Sequence, residues 1–353
     1  MADSTNIRFN RIMDEVYKDF YGSYPPGSPS SGNSSHEAGS TADSGGAAGA
    51  ALYDEPKTQA ATNGPGPKKE ADKEEEKPKE PEKTGMEELS ELIGLEAVKA
   101  DVRELVSLVK IQKMREDKGM KTVPVSLHLV FSGNPGTGKT TVARILSKLY
   151  KEIGVLSKGQ LVEVDRSGLV AGYVGQTAIK TQKKIEEAKG GILFIDEAYT
   201  LAKEGNDFGQ EAIDTILKAM EDNRKDLVVI VAGYTELMKN FINSNPGLKS
   251  RFNKYIDFKD YTADELIAIF NMQCSKYNYT VSPEAKEKIE NVIKVRESLK
   301  GDNFANARDV RNLFETIITN QASRVAQIED PDEKTLTTIE PEDIEELTSA
   351  ASK

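Results

Sequence analysis

Residues 133–140 read GNPGTGKT, which satisfies the pattern G-x-x-x-x-G-K-[ST]. The stretch leading into it, VSLHLVFSG (125–133), is a short apolar run of the kind that forms a buried strand. A helical pattern follows from Lys139 to about Ile153. A strand, a glycine-rich turn and a helix start, in that order, make a cradle for phosphate. The glycines let backbone N–H groups close around an anion with no Cβ in the way, and the helix N-terminus adds partial positive charge. On this reading Asn134, Pro135, Gly136, Thr137 and Gly138 surround the β- and γ-phosphates of ATP, with Thr141 completing the set. Lys139 reaches the phosphate oxygens and the Thr140 hydroxyl ligates Mg²⁺. A glycine-rich turn without a ligand is the alternative.

A second element argues against that alternative. ILFIDE (192–197) is an apolar strand that ends in paired carboxylates. Asp196, at the strand's C-terminal end, can hold the Mg²⁺ through water, and Glu197 is placed to polarise an attacking water. An acidic turn of no function would not explain why a buried run stops in this pair.

Further strands are expected at QLVEVD (160–165), LVVIVAG (227–233) and KYIDF (254–258), with helices over about 177–189, 209–222 and 235–243. Five strands alternating with helices predict a parallel sheet covered on both faces. From Thr262 the pattern turns wholly helical, over 262–276, 283–298 and 305–327. Upstream, apolar residues from Leu89 to Val109 recur at helical intervals, interrupted at Gly94. The expected organisation is a tail over 1–85, an α/β nucleotide-binding domain over 86–260, and a small all-helical lid with a C-terminal extension over 261–353.

The tail is compositionally distinct. From Tyr21 to Gly85 the only residue of the Ile/Leu/Val/Met/Phe set is Leu52, and the stretch KKEADKEEEKPKEPEK (68–83) mixes both charges. It cannot bury enough apolar surface to offset ordering, so a disordered tether is expected. Residues 7–20 (IRFNRIMDEVYKDF) carry apolar positions at helical spacing. They read either as a short amphipathic helix that docks on a partner or as a marginal helix that frays.

The whole chain of 353 residues has a formal net charge of −11, so no basic surface offers the counterion-release term that drives nucleic-acid binding. One cysteine (Cys274) and two histidines (His36, His128) exclude a disulfide framework and a Cys/His zinc cluster. No apolar run reaches the roughly 18 residues of a membrane span, and no signal-peptide core is visible, so a cytoplasmic protein is expected.

The phosphate loop, the ILFIDE strand and the helical C-terminal region together resemble the AAA+ ATPases. YVGQTAIKT (173–181), FIDEAYTL (194–201), VVIVAGY (228–234), SNPGLKSRF (244–252) and FANARDVRN (304–312) narrow the resemblance to the CbxX/CfqX family. That family takes in the red-type Rubisco activases and the stage V sporulation protein K of spore formers. The resemblance runs over roughly residues 86–330 and leaves out the tail.

The resemblance implies a ring, a hexamer, in which Arg251 reaches the ATP of the neighbouring subunit and acts with Glu197 and Lys139 in catalysis. It implies that Arg308 senses the γ-phosphate from the lid, with Arg311 the other candidate. Ile93 and Gly94 in ELIGLEAVK (91–99) match the adenine-side stretch, although a helix break of purely structural origin is also open. Tyr173, Val174 and Gly175 match the pore loop that grips a client polypeptide, the alternative being a tyrosine that anchors its own loop. Most AAA+ proteins end the fourth strand in a polar residue that helps position water. Here Ala232, Gly233 and Tyr234 stand there, and that partner is unassigned.

The implied activity is ATP hydrolysis coupled to remodelling of a client protein. A slow ATP-dependent assembly switch, and less readily a nucleic-acid loader, are the competing classes.

Overall fold

The computed structural model describes residues 83–344 apart from 124, 174, 203–207 and 302–303. The segment 7–20, the rest of the tail to residue 82, Val174 and the last nine residues lie outside the described residues.

Five strands form one parallel sheet in the order β2-β3-β4-β1-β5. They are β1 (Leu129–Gly133), β2 (Leu161–Val164), β3 (Ile192–Ile195), β4 (Val228–Gly233) and β5 (Lys254–Phe258). The three central strands are buried at every position, whereas β2 and β5, at the edges, show exposed positions. Burial on both faces is why the central strands read as unbroken apolar runs.

Side chains alternate between faces, as the strand period requires. Val130, Leu193, Ile195, Val229 and Val231 share a core with residues of three helices, Gln176–Ala188, Gly209–Asp222 and Thr235–Asn243. Phe131, between them in register, points the other way and meets Phe194 and Phe258 with ring centroids 6.4 and 5.0 Å apart. Each such fully buried apolar side chain is worth about 1.5–3 kcal/mol against leaving it in water.

β1 begins later than its apolar run. His128 lies just ahead of it, and its Nδ1 accepts the Val229 amide at 3.0 Å, a place that a strand carbonyl would otherwise fill. The ring is buried against Phe252.

The lid starts at a helix over Ala263–Lys276, where Thr262 and Glu265 form a capping box. Helices Pro283–Ser298 and Ala307–Val325 complete it around Leu266, Ile269, Phe270, Ile289, Val292, Leu313 and Ile317. One addition to the helical expectation is a two-residue parallel ladder, Thr280–Val281 with Thr338–Ile339. Strands that short leave no periodic trace in a sequence. The ladder is held by Arg324, which donates to both carboxylate oxygens of buried Asp343 at 2.8 and 3.0 Å and to the Thr338 carbonyl at 3.1 Å. Among the described residues no helix is long and apolar enough to cross a membrane.

Candidate active site

The strands of a parallel sheet deliver their C-terminal ends to one edge, where the crossover turns gather. β1 ends at Gly133, and the turn that follows closes into the helix Lys139–Glu152 through Gly138, which caps it at φ 94°. A left-handed cap of this kind suits glycine. Thr137 is fully buried and its hydroxyl donates to the Asn134 carbonyl at 2.8 Å, so it stiffens the turn from within. Lys139 folds over the turn, its Nζ donating to the carbonyls of Gly133 and Asn134 at 2.9 and 2.7 Å. Burial pulls its pKa down to about 8, with Asp196 and Asp260 opposing and the nearby Arg308 adding to the depression. A cation held this way gains from an incoming polyanion.

Above the turn lies a cleft of about 400 Å³, within the range of nucleotide-sized sites. The structure brings Ile93, Pro135, Gly136, Gly138, Lys139, Thr140, Thr141, Asp196, Glu197 and Arg308 to its walls. Gly94, Asn134 and Thr137 support those walls without lining them. Gly94 has φ 62° and faces the Glu265 side chain, so the break between the helices Gly85–Glu91 and Glu96–Asp117 is a contact with the lid. Arg311 lines the cleft alongside Arg308.

Four lid-side residues, Tyr261, Ile269, Met272 and Gln273, also line it and carry no motif that would have marked them. Their only sequence signal is the helical spacing of the lid itself. Together with Ile93 and Leu95 they line the lid side of the cleft, where the Leu95 and Tyr261 side chains come up against Gly138 of the phosphate turn.

Thr140 and Asp196 supply a hydroxyl and one carboxylate toward the cleft. That oxygen donor set fits Mg²⁺, which keeps several waters and takes the rest of its ligands from phosphates. Glu197 follows at φ 47°, a conformation that costs a non-glycine residue energy and recurs at functional positions. Its amide donates to Asp196 Oδ1 at 3.0 Å, and its side chain stays open to the cleft. The ring of Tyr199 lies 6.2 Å from that of Tyr234, which lines the cleft just past β4. Burial, then the charge of Glu197, pushes the Tyr199 hydroxyl up to about 12.

Two expected participants sit elsewhere. Arg251 ends a short helix, Pro246–Arg251, and leads into β5. In the register Lys254 pairs with Leu129 and Phe258 with Gly133, so Arg251 lies toward the end of β1 remote from the phosphate turn. Its carbonyl accepts the Ser126 hydroxyl at 3.0 Å. The guanidinium is weakly engaged: Nη1 meets the Gly247 carbonyl at 3.5 Å, Nη2 meets Glu221 at 3.9 Å, and Nε has no partner among the described residues.

Tyr173 is 73% exposed. The base of its loop is fixed, however. Buried Thr177 accepts the Ala171 amide at 3.0 Å, and Lys180 donates to the carbonyls of Ser167 and Val170 at 2.5 and 3.1 Å. Lys180 therefore braces the loop.

A phosphate turn after β1, an acidic pair after β3 and a helical lid over both define a nucleotide-hydrolysing protein of the AAA class. The family model described as "ATPase family associated with various cellular activities (AAA)" matches residues 129–260, and the AAA lid domain matches residues 262–353. The chain belongs to the AAA+ ATPases, in the group that takes in the CbxX and CfxQ proteins. It is similar to the stage V sporulation protein K of Bacillus subtilis (strain 168), with 43% identity over 259 residues, 73% of this chain and 80% of that protein. It is also similar to the chloroplastic ribulose bisphosphate carboxylase/oxygenase activase of Cyanidioschyzon merolae, with 43% identity over 237 residues, 67% of this chain and 80% of that protein. The FIGL-1 AAA domain in complex with ADP shares the fold, with TM-score 0.53 and 18% identity over 74% of this chain and 83% of that one. The chain is accordingly a nucleotide-binding enzyme that hydrolyses ATP.

Proposed function

We propose that the chain is a subunit of an ATP-driven ring, a hexamer, that remodels a client protein, and that each active site is completed by the Arg251 of a neighbouring subunit. The observation that carries this reading is the split of the catalytic set. Lys139, Asp196, Glu197 and Arg308 share one cleft, while Arg251 stands toward the other end of β1 with its guanidinium barely bonded. An arginine that far from its own cleft supports a site completed by a second copy.

In the proposed mechanism the phosphates of ATP lie along the turn 133–140, and the base enters the cleft beside Ile93. Thr140 and Asp196 would hold Mg²⁺, which when bound neutralises the β- and γ-phosphate oxygens. Glu197 accepts the proton of the water that attacks the γ-phosphorus, and the bridging bond to the β-phosphate breaks to leave ADP. Lys139 and the neighbour's Arg251 neutralise charge that builds on the transferring group. Arg308, on the lid, touches the γ-phosphate and changes the lid's angle when that phosphate leaves.

Tyr173, with Val174 and Gly175, grips the client. An exposed aromatic side chain on a braced loop offers contact area that tolerates many sequences. One of the two relatives is named for sporulation and the other as an activase of ribulose bisphosphate carboxylase/oxygenase, so the client is described by class only, as a protein segment.

The test is ATP turnover per subunit as a function of protein concentration, with Arg251→Ala run beside it. A steep rise for wild type and a flat line for the variant support a shared site. Tight ATP binding with little turnover at every concentration would favour a slow assembly switch instead.

A further inference from the structure

Beneath the cleft, three consecutive residues of the phosphate turn are tied to the start of the lid by Asp260, Asn306 and the Ala307 amide. Asn134 Nδ2 donates to both oxygens of Asp260 at 3.0 and 3.1 Å. Asn306 Nδ2 donates to Asp260 Oδ1 at 2.8 Å and to the Pro135 carbonyl at 3.3 Å. The Ala307 amide donates to the Gly136 carbonyl at 3.2 Å. Asp260 follows β5 at the junction of sheet and lid, and Asn306 caps the lid helix that carries Arg308.

Asn306 is fully buried, and its amide oxygen accepts the Tyr261 amide at 2.9 Å. Its backbone, at φ 50° and ψ −124°, occupies a region that L-residues rarely adopt. Such a conformation persists only where surrounding contacts over-determine it, which these bonds do. Gly136 shows how close the approach is, because a Cβ there would overlap the Ala305 carbonyl oxygen and crowd the Arg308 amide.

We infer that Asp260 and Asn306 form the joint through which the phosphate turn moves the lid, so that nucleotide binding is transmitted underneath the site as well as through Arg308 above it. Both are positioning residues, and the inference rests on the nucleotide reading of the cleft. The physical basis is stiffness: a charge-assisted hydrogen-bonded triad ties the turn directly to the first turn of the Arg308 helix. A displacement of Asn134 to Gly136 by bound phosphates therefore has a direct path to that helix, with no arginine–phosphate contact needed.

Hydrogen exchange on the full chain, with and without saturating Mg²⁺ and a non-hydrolysable ATP analogue, tests it. In wild type the analogue should slow exchange in the turn and in the lid segment 305–312. In Asn306→Ala and in the isosteric Asp260→Asn the turn should still respond, while the lid response falls to roughly half or less. Turnover should drop about tenfold in both with KM within about threefold, the mark of lost positioning rather than lost binding. In Arg308→Ala the lid response should survive at saturation.

A full lid response in both joint variants, or its loss in Arg308→Ala alone, would overturn the inference. Absence of any response in the wild-type turn would instead overturn the nucleotide site, and the joint with it. Asp260→Asn preserves size, so it decides the matter if Asn306→Ala misfolds.

Discussion

The phosphate turn and the Arg251 corner lie toward opposite ends of the same strand pair, β1 and β5, and they are built differently. At the turn the side chains beneath the phosphate site have internal partners: Lys139 on the Gly133 and Asn134 carbonyls, Thr137 on the Asn134 carbonyl as well, and Asn134 on Asp260. At the corner Arg251 has only long contacts and an unpartnered Nε. The Arg251 side chain is 31% exposed and its Nη atoms hold only long contacts, which leaves that end of it open to a partner outside the chain. One end of the sheet is finished by folding, and on this account the other is finished by assembly.

The sharpest way to break that contrast is to remove the arginine. Arg251→Ala should lower turnover by about a thousandfold or more, the scale of arginine fingers elsewhere, while leaving binding of a fluorescent ATP analogue within about threefold. An equal loss of binding would place Arg251 in its own subunit's site. Glu197→Gln should cost about a hundredfold in turnover and should retain ATP in assemblies that size-exclusion chromatography resolves. Normal turnover in that variant would remove Glu197 from the chemistry.

Tyr173→Ala probes a third region that is exposed by the same logic. It should lower the work done on a client per ATP hydrolysed by about tenfold, measured as unfolding of a tagged reporter protein. An unchanged coupling ratio would make Tyr173 an anchor of its own loop.

The smallest effect concerns the support under the corner. His128 sits beside Arg251, and burial, then that arginine's charge, holds its pKa near 4, below the usual 6.5. The unfolded chain therefore takes up this proton first. Its contribution to stability is complete above about pH 6.5 and is lost as pH falls toward 4, by an amount on the order of 3 kcal/mol. His128→Asn keeps an acceptor near the Val229 amide and cannot titrate. Denaturation of both proteins across this range should show wild type losing ground to the variant, and parallel curves would contradict the assignment.

The sequence carried those parts of the molecule whose chemistry is local. GNPGTGKT and ILFIDE each compress a strand, a turn and their ligating groups into a few residues, and the five strands appear within a few residues of their expected places. What it could not carry was created by the approach of distant segments. Asp260 belongs to no motif, Asn306 lies inside FANARDVRN with nothing local to mark its tie to Asp260, and His128 takes its role from the Val229 amide it meets. Gly136 is the clearest case. Phosphate approach accounts for a glycine there, yet the folded chain adds an independent demand, because the lid backbone lies against it.

The central claim, an active site shared between subunits, is tested most directly by mixing. Lys139→Ala chains keep Arg251 but lose their own phosphate site, and Arg251→Ala chains do the reverse. Each alone should be nearly inactive. Mixed in equal amounts and allowed to exchange, they should recover turnover at about a quarter of the sites, as random placement in a closed ring requires. Recovery on mixing is the predicted result. Turnover that stays at the level of the separate variants, with mixed assemblies shown to form, would contradict the account.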